Sequence, residues 1–141
     1  MNLNFFLKIT IIFIILFTNL YAKNNYFNEG VVFFQKEQLD KAKFKFEQDI
    51  VNNPKSELSY LYLSKIFNLK KEETLEEQNL STVILLNPKN EEALFNLSKL
   101  KLNSSDYSES KRIIDELLVF CKNYCQKSKK LKSEIEISLK K

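Results

Sequence analysis

The chain contains no histidine, no tryptophan, one glycine (Gly30), one methionine, two prolines and two cysteines. Each scarcity removes a class of chemistry. Without histidine there is no Ser-His-Asp or Cys-His nucleophile and no zinc site built on imidazole. A single glycine is too few for the loops that cradle phosphates or dinucleotides. Asp and Glu total 18, but no spacing among them marks out a carboxylate pair, so they read as solvated helix faces. The expectation is no enzyme, no metal and no cofactor.

Long apolar runs are also missing, except at the amino end. Lys8 is the only charged side chain among the first 22 residues, Ile9 to Phe17 is almost wholly apolar, and Asn19-Leu20-Tyr21-Ala22 closes the stretch. A positive start, an apolar centre and a small residue at the cut form the order of a secretory signal. Residues 1–22 are therefore predicted as a signal peptide cleaved after Ala22. Retained, the same residues form a membrane anchor, for which about 20 apolar residues are needed. No cysteine lies near the cut, which argues against a lipid anchor. On either reading the rest of the chain works outside the cytoplasm: in the periplasm, or held at the inner membrane with contact through residues 1–22.

The 141 residues are 44% apolar and 28% charged, the composition of one globular domain. The net charge of +4 is mild. Lysines outnumber acids only in the tail, where Lys127, Lys129, Lys130 and Lys132 read as the wet face of a last helix. No nucleic-acid partner is expected, since aromatics are not interleaved with those lysines.

What the chain does have is a repeat. Asn53-Pro54-Lys55 recurs as Asn87-Pro88-Lys89, 34 residues later, with apolar residues in the same register around it. The first unit carries Tyr26, Gly30, Phe33, Ala42, Phe46 and Pro54. The second carries Tyr60, Leu63, Ser64, Phe67, Leu80 and Pro88, and the third Leu94, Leu97, Ser98, Ser110, Ile114 and Leu117. Spacings of three and four place an apolar stripe along each helix. Gly30, Ser64 and Ser98 lack bulk and let a partner helix approach. Each proline ends a second helix. Thr74 before Glu77, Asp106 before Glu109, and Asn90 before Glu91-Glu92 are helix-start signals. No segment alternates, so no strands are expected.

These residues resemble the tetratricopeptide repeat (TPR), a helix-turn-helix unit with an aromatic, a small residue, a second aromatic, an alanine, a phenylalanine and a closing proline at these intervals. The resemblance implies an all-α superhelix of about three repeats, near 23–56, 57–90 and 91–124, within a repeat domain over 23–124. A capping helix follows over 125–141, with Leu131, Ile135 and Leu139 on one side; the competing reading is a helix lying on a membrane surface. Glu29 stands where the family has leucine. Glu76 stands where it has a small alanine, which implies either wider helix spacing or an outward-turned side chain. The third unit has Lys101 for the aromatic and Lys122 for the proline, as suits a terminal repeat.

Cys121 and Cys125 do not have the C-x-x-C spacing of redox or zinc motifs. Four apart on a continuous helix they would not aim at each other, whereas at a helix end they could; a disulfide and two free thiols both stay open.

The resemblance further implies that first helices line an inner groove where a partner lies. Its inward places map to Phe27, Leu61 and Phe95; to Val31, Lys65 and Lys99; and to Phe34, Asn68 and Leu102. Apolar pockets beside two ammonium groups would suit a segment carrying hydrophobic and acidic side chains. The Lys and Asn set by which some of these repeats grip a terminal carboxylate is not reproduced, Phe27 and Val31 standing in its place. The function implied is an exported, non-enzymatic adaptor or scaffold that binds a peptide or helix of a protein partner in a bacterial envelope assembly. The alternative is a structural component anchored by an uncleaved N-terminal helix, with its lysine-rich last helix against lipid.

Overall fold

A computed structural model of the protein describes residues 25–140, so the predicted signal segment lies outside the described residues. Seven helices follow one another among them: α1 Tyr26–Gln35, α2 Leu39–Asn52, α3 Glu57–Lys70, α4 Glu73–Leu86, α5 Glu91–Asn103, α6 Tyr107–Phe120 and α7 Cys125–Ser138. Each helix packs chiefly on its neighbours in the chain, and there are no strands among the described residues. This is the all-α repeat array that the 34-residue period implies. α2, α4 and α6 begin at Leu39, Glu73 and Tyr107, each 34 residues after the last.

The turns inside the hairpins explain that regularity. Glu37, Lys71 and Ser105, also 34 apart, have φ of 57°, 59° and 63°. In each, the N–H of the following residue reaches back to the preceding helix: Gln38 to Phe33 at 3.0 Å, Glu72 to Phe67 at 2.9 Å, Asp106 to Lys101 at 2.9 Å. These are Schellman closures, and they are built here without glycine. The left-handed turn decides where the next helix starts, which corrects the reading of Thr74. α4 begins at Glu73, so the cap position falls on Glu72, two residues before Thr74, and no side chain caps it. Asn90 and Asp106 do cap, accepting from the N–H of Ala93 at 2.8 Å and of Glu109 at 3.3 Å. Left-handed backbone costs a non-glycine residue about 1–2 kcal/mol, and glycine gives part of that back as unfolded-state entropy. Lys71→Gly is therefore expected to stabilise the fold by about 0.5–1 kcal/mol; denaturant unfolding checks it, and a loss would mean that the Lys71 side chain contributes to the turn.

Between hairpins, Asn53-Pro54-Lys55 and Asn87-Pro88-Lys89 form β-turns, closed by Ser56 N–H to Asn53 O and Asn90 N–H to Asn87 O, both 3.0 Å. The third unit closes differently because Lys122 replaces proline and keeps its N–H. The Glu91 carboxylate accepts from the N–H groups of Lys122, Asn123 and Tyr124, all at 2.8 Å. These bonds hold the Glu91 carboxyl below the usual carboxylate range despite the desolvation that opposes them. Cys121 and Cys125 flank this loop, since α6 stops at Phe120. With Cα atoms 5.3 Å apart they are joined by a disulfide.

The core falls into two clusters. Ala42, Phe46, Leu63, Ile66 and Phe67 form the first. The second runs from Leu61 and Leu80 through Ile113, Ile114 and Leu117 to Leu131 and Ile135. Small residues mark the close approaches. A Cβ added at Gly30 would lie 2.6 Å from the Phe46 ring, and Ser98 and Ser110 exchange hydrogen bonds with each other's carbonyls at 2.9 and 2.7 Å. α7 buries Leu131 and Ile135, as a cap does, while Leu139 is half exposed past the helix end. Among the described residues no helix is long and apolar enough to cross a membrane.

Candidate functional site

The first helices present side chains along one face, and a cleft of about 320 Å³ opens there across α1, α3 and α5, with α4 at its floor. Of the nine groove residues expected from the sequence, Phe34, Lys65, Asn68 and Lys99 line it. The others are placed elsewhere. Leu61 is 4% exposed and belongs to the second core cluster, which removes it from any contact with a partner. Phe27 and Val31 pack against the first cluster, and the Phe27 ring sits 5.8 Å from Phe46 and 5.7 Å from Tyr62. Leu102 packs against the second cluster. Phe95 does the same, its ring 5.4 Å from Tyr124; with Lys99 it edges a separate shallow depression against α7. An aromatic ring on a short array gains more by burial than by facing water, at about 1.5–3 kcal/mol per side chain, so these rings fold inward.

Glu76, Glu92, Asn96 and Asn103 complete the polar lining. The sequence held a signal for Glu76, an acid at a place where the repeat wants a small residue. It is not turned outward: Glu76 is 5% exposed, and both its carboxylate oxygens lie 3.1 Å from the Asn68 Nδ2. The side chain reaches from α4 toward the cleft, beside Ser64, whose hydroxyl turns away to the Leu61 carbonyl at 2.7 Å. Burial raises the Glu76 carboxyl above its ordinary range; Asn68 opposes this, Glu73 adds to it and Lys99 opposes it.

The two expected ammonium groups are not equivalent. Lys65 Nζ lies 2.9 Å from the Glu92 carboxylate and 4.8 Å from the centre of the Tyr62 ring, so its charge is already engaged. Lys99 is exposed and makes no ion pair among the described residues. Phe34 forms an apolar wall, edge-on to Tyr62 at 5.3 Å, with Leu69 also on the lining. Among the described residues no group of His, Cys, Asp or Glu could hold a metal ion.

The raised Glu76 pKa has a stability consequence. The folded chain holds this proton more tightly than the unfolded chain, so the contribution is present at low pH and is lost as pH rises through the raised value. Glu76→Gln keeps an acceptor for Asn68 and removes the buried charge. Its melting temperature is expected to exceed that of the parent at neutral pH, with the gap closing as pH falls into the ordinary glutamate range. A gap independent of pH would show that the carboxylate is not held out of water in solution.

These features define an α-solenoid of tetratricopeptide type with a polar cleft on its first helices. No protein-family model and no curated protein sequence matches the chain. Solved structures do share its fold. The first TPR of Spaghetti (RPAP3), bound to the HSP90 peptide SRMEEVD, superposes with a TM-score of 0.75 at 14% identity, covering 82% of this chain and 91% of that one. The TPR2B domain of yeast Sti1, from a complex with pHsp70, gives 0.70 at 12% identity over 77% and 91%. SycD, the type III secretion translocator chaperone of Yersinia enterocolitica, gives 0.69 at 14% identity over 80% of each chain.

Proposed function

We propose that this chain is a non-enzymatic adaptor that holds a segment of a partner protein in the cleft across α1, α3 and α5. The carrying observation is the cleft itself: four charged side chains and three asparagines line it beside Phe34 and Leu69. A mixed lining of this kind suits a polypeptide, which offers main-chain hydrogen bonds and side chains together. The peptide bound to the RPAP3 repeat domain and the pHsp70 complex of the Sti1 domain support a protein as the partner. We place the adaptor outside the cytoplasm, in an envelope assembly. Support comes from the signal-like order of residues 1–22 and from the Cys121–Cys125 bond, which an oxidising compartment permits.

The test is a photo-crosslinking residue at Asn96, on the cleft wall, in the chain expressed in its native host. One discrete envelope protein joined to it, and lost when Phe34 is changed to Asp, is the expected result. Adducts to lipid or to a second copy alone would discard the adaptor reading. The mass of the chain isolated from the same cells tests export: loss of residues through Ala22 is expected, and an intact amino end in the cytoplasm would refute it.

A further inference from the structure

We infer that the cleft takes a lysine or arginine side chain of the partner polypeptide, with the Glu76 carboxylate as its acceptor. This rests on the groove reading above and specifies its chemistry. An ionised carboxylate offers about four acceptor positions, yet among the described residues Glu76 is served only by the Asn68 amide, one nitrogen shared between two oxygens at 3.1 Å. The group is 5% exposed and lies on the lining of the cleft, so a donor arriving through the cleft can reach it where bulk water is restricted.

The charges around it favour a cation. Lys65 and Glu92 cancel in their own pair at 2.9 Å. Besides the Asn68 amide on α3, the charged groups acting on Glu76 are Glu73 on its own helix α4 and Lys99 on α5. The remaining charges on the cleft lining, Glu76 and Lys99, balance, and Glu73, one turn back on α4 and off the lining, adds negative potential at the Glu76 carboxylate itself. Lys99 stands exposed, with its long side chain free to move aside. Phe34 and Leu69 supply apolar surface along which the methylene stem of an incoming lysine or arginine can lie. The partner chemistry is thus the reverse of the acidic segment expected from two free ammonium groups, because only Lys99 remains unengaged.

The experiment is selection of an mRNA-displayed random dodecapeptide library on the full chain, repeated on Glu76→Gln, Lys99→Ala and Asn96→Trp. Wild-type binders should share lysine or arginine at one aligned position. Against Glu76→Gln those peptides should bind about tenfold or more weakly, the cost of losing a charged hydrogen bond, although this variant should melt no lower than the parent. Lys99→Ala should bind the same peptides more tightly, since a like charge has been removed. Binders blocked by the bulk of Asn96→Trp but without a lysine or arginine preference, or weakened by Lys99→Ala, would overturn the cation inference and leave the groove reading standing. Binders indifferent to Asn96→Trp, or no binders, would overturn both.

Discussion

Gly30→Leu is expected to destabilise the first hairpin by about 1–3 kcal/mol through overpacking. The reason is local and geometric. A Cβ at this position would meet three atoms of the Phe46 ring at 2.6 to 3.0 Å, and that ring has nowhere to go. Phe46 is fully buried and stacks on Tyr62 at 4.9 Å with an interplanar angle of 23°. The gain in helix propensity on leaving glycine, about 1 kcal/mol, offsets only part of the clash. Phe46→Ala alone should cost about 3–5 kcal/mol, from lost burial and the cavity left behind. Combined, the two changes should cost less than their sum, because the alanine opens space that the leucine can fill. Denaturant unfolding of the four-member set measures this. A strictly additive result would mean that α1 and α2 do not meet at Gly30 and Phe46.

Loss of the cap should have a comparable effect at the other end. Leu131 and Ile135 are the α7 residues buried against the second core cluster, at 5% and 0% exposed. Leu131→Ala and Ile135→Ala should each cost about 2–5 kcal/mol. In an array where each repeat touches only its neighbours, that loss stays near its source. Amide hydrogen exchange should accelerate through α5, α6 and α7 while α1 and α2 keep their protection. Uniform acceleration along the chain would show that the two clusters unfold as one cooperative unit. α7 begins at Cys125, 34 residues after α5 begins at Glu91, so the cap occupies the place of a fourth first helix. It is held there through Glu91 and the disulfide as well as by apolar contact.

The candidate site was legible in part. Lys65, Asn68, Lys99 and Phe34 could be placed from register alone, because a position on a helix face follows from counting residues. Whether a side chain on that face is free could not be counted. Leu61 and Phe27 share the face with Lys65, yet they turn into the core because water excludes them and a neighbouring helix offers contact. Lys65 sits in the groove as expected, but its charge is engaged by Glu92 from the next repeat, 27 residues along the chain.

Sequence alone determined the repeat length, the number of hairpins, the places of Gly30, Pro54 and Pro88, and the caps at Asn90 and Asp106. The prolines and caps are set by interactions within one helix or one turn, and the small residue at Gly30 repeats with the period, so residue type and spacing are enough to read them. Only tertiary structure decided that a helix break closed by Glu91 brings Cys121 and Cys125 together, and that Glu76 points into the cleft. Each of these depends on which groups from other segments compete for the same space or the same hydrogen bond. That competition is settled when the helices stack.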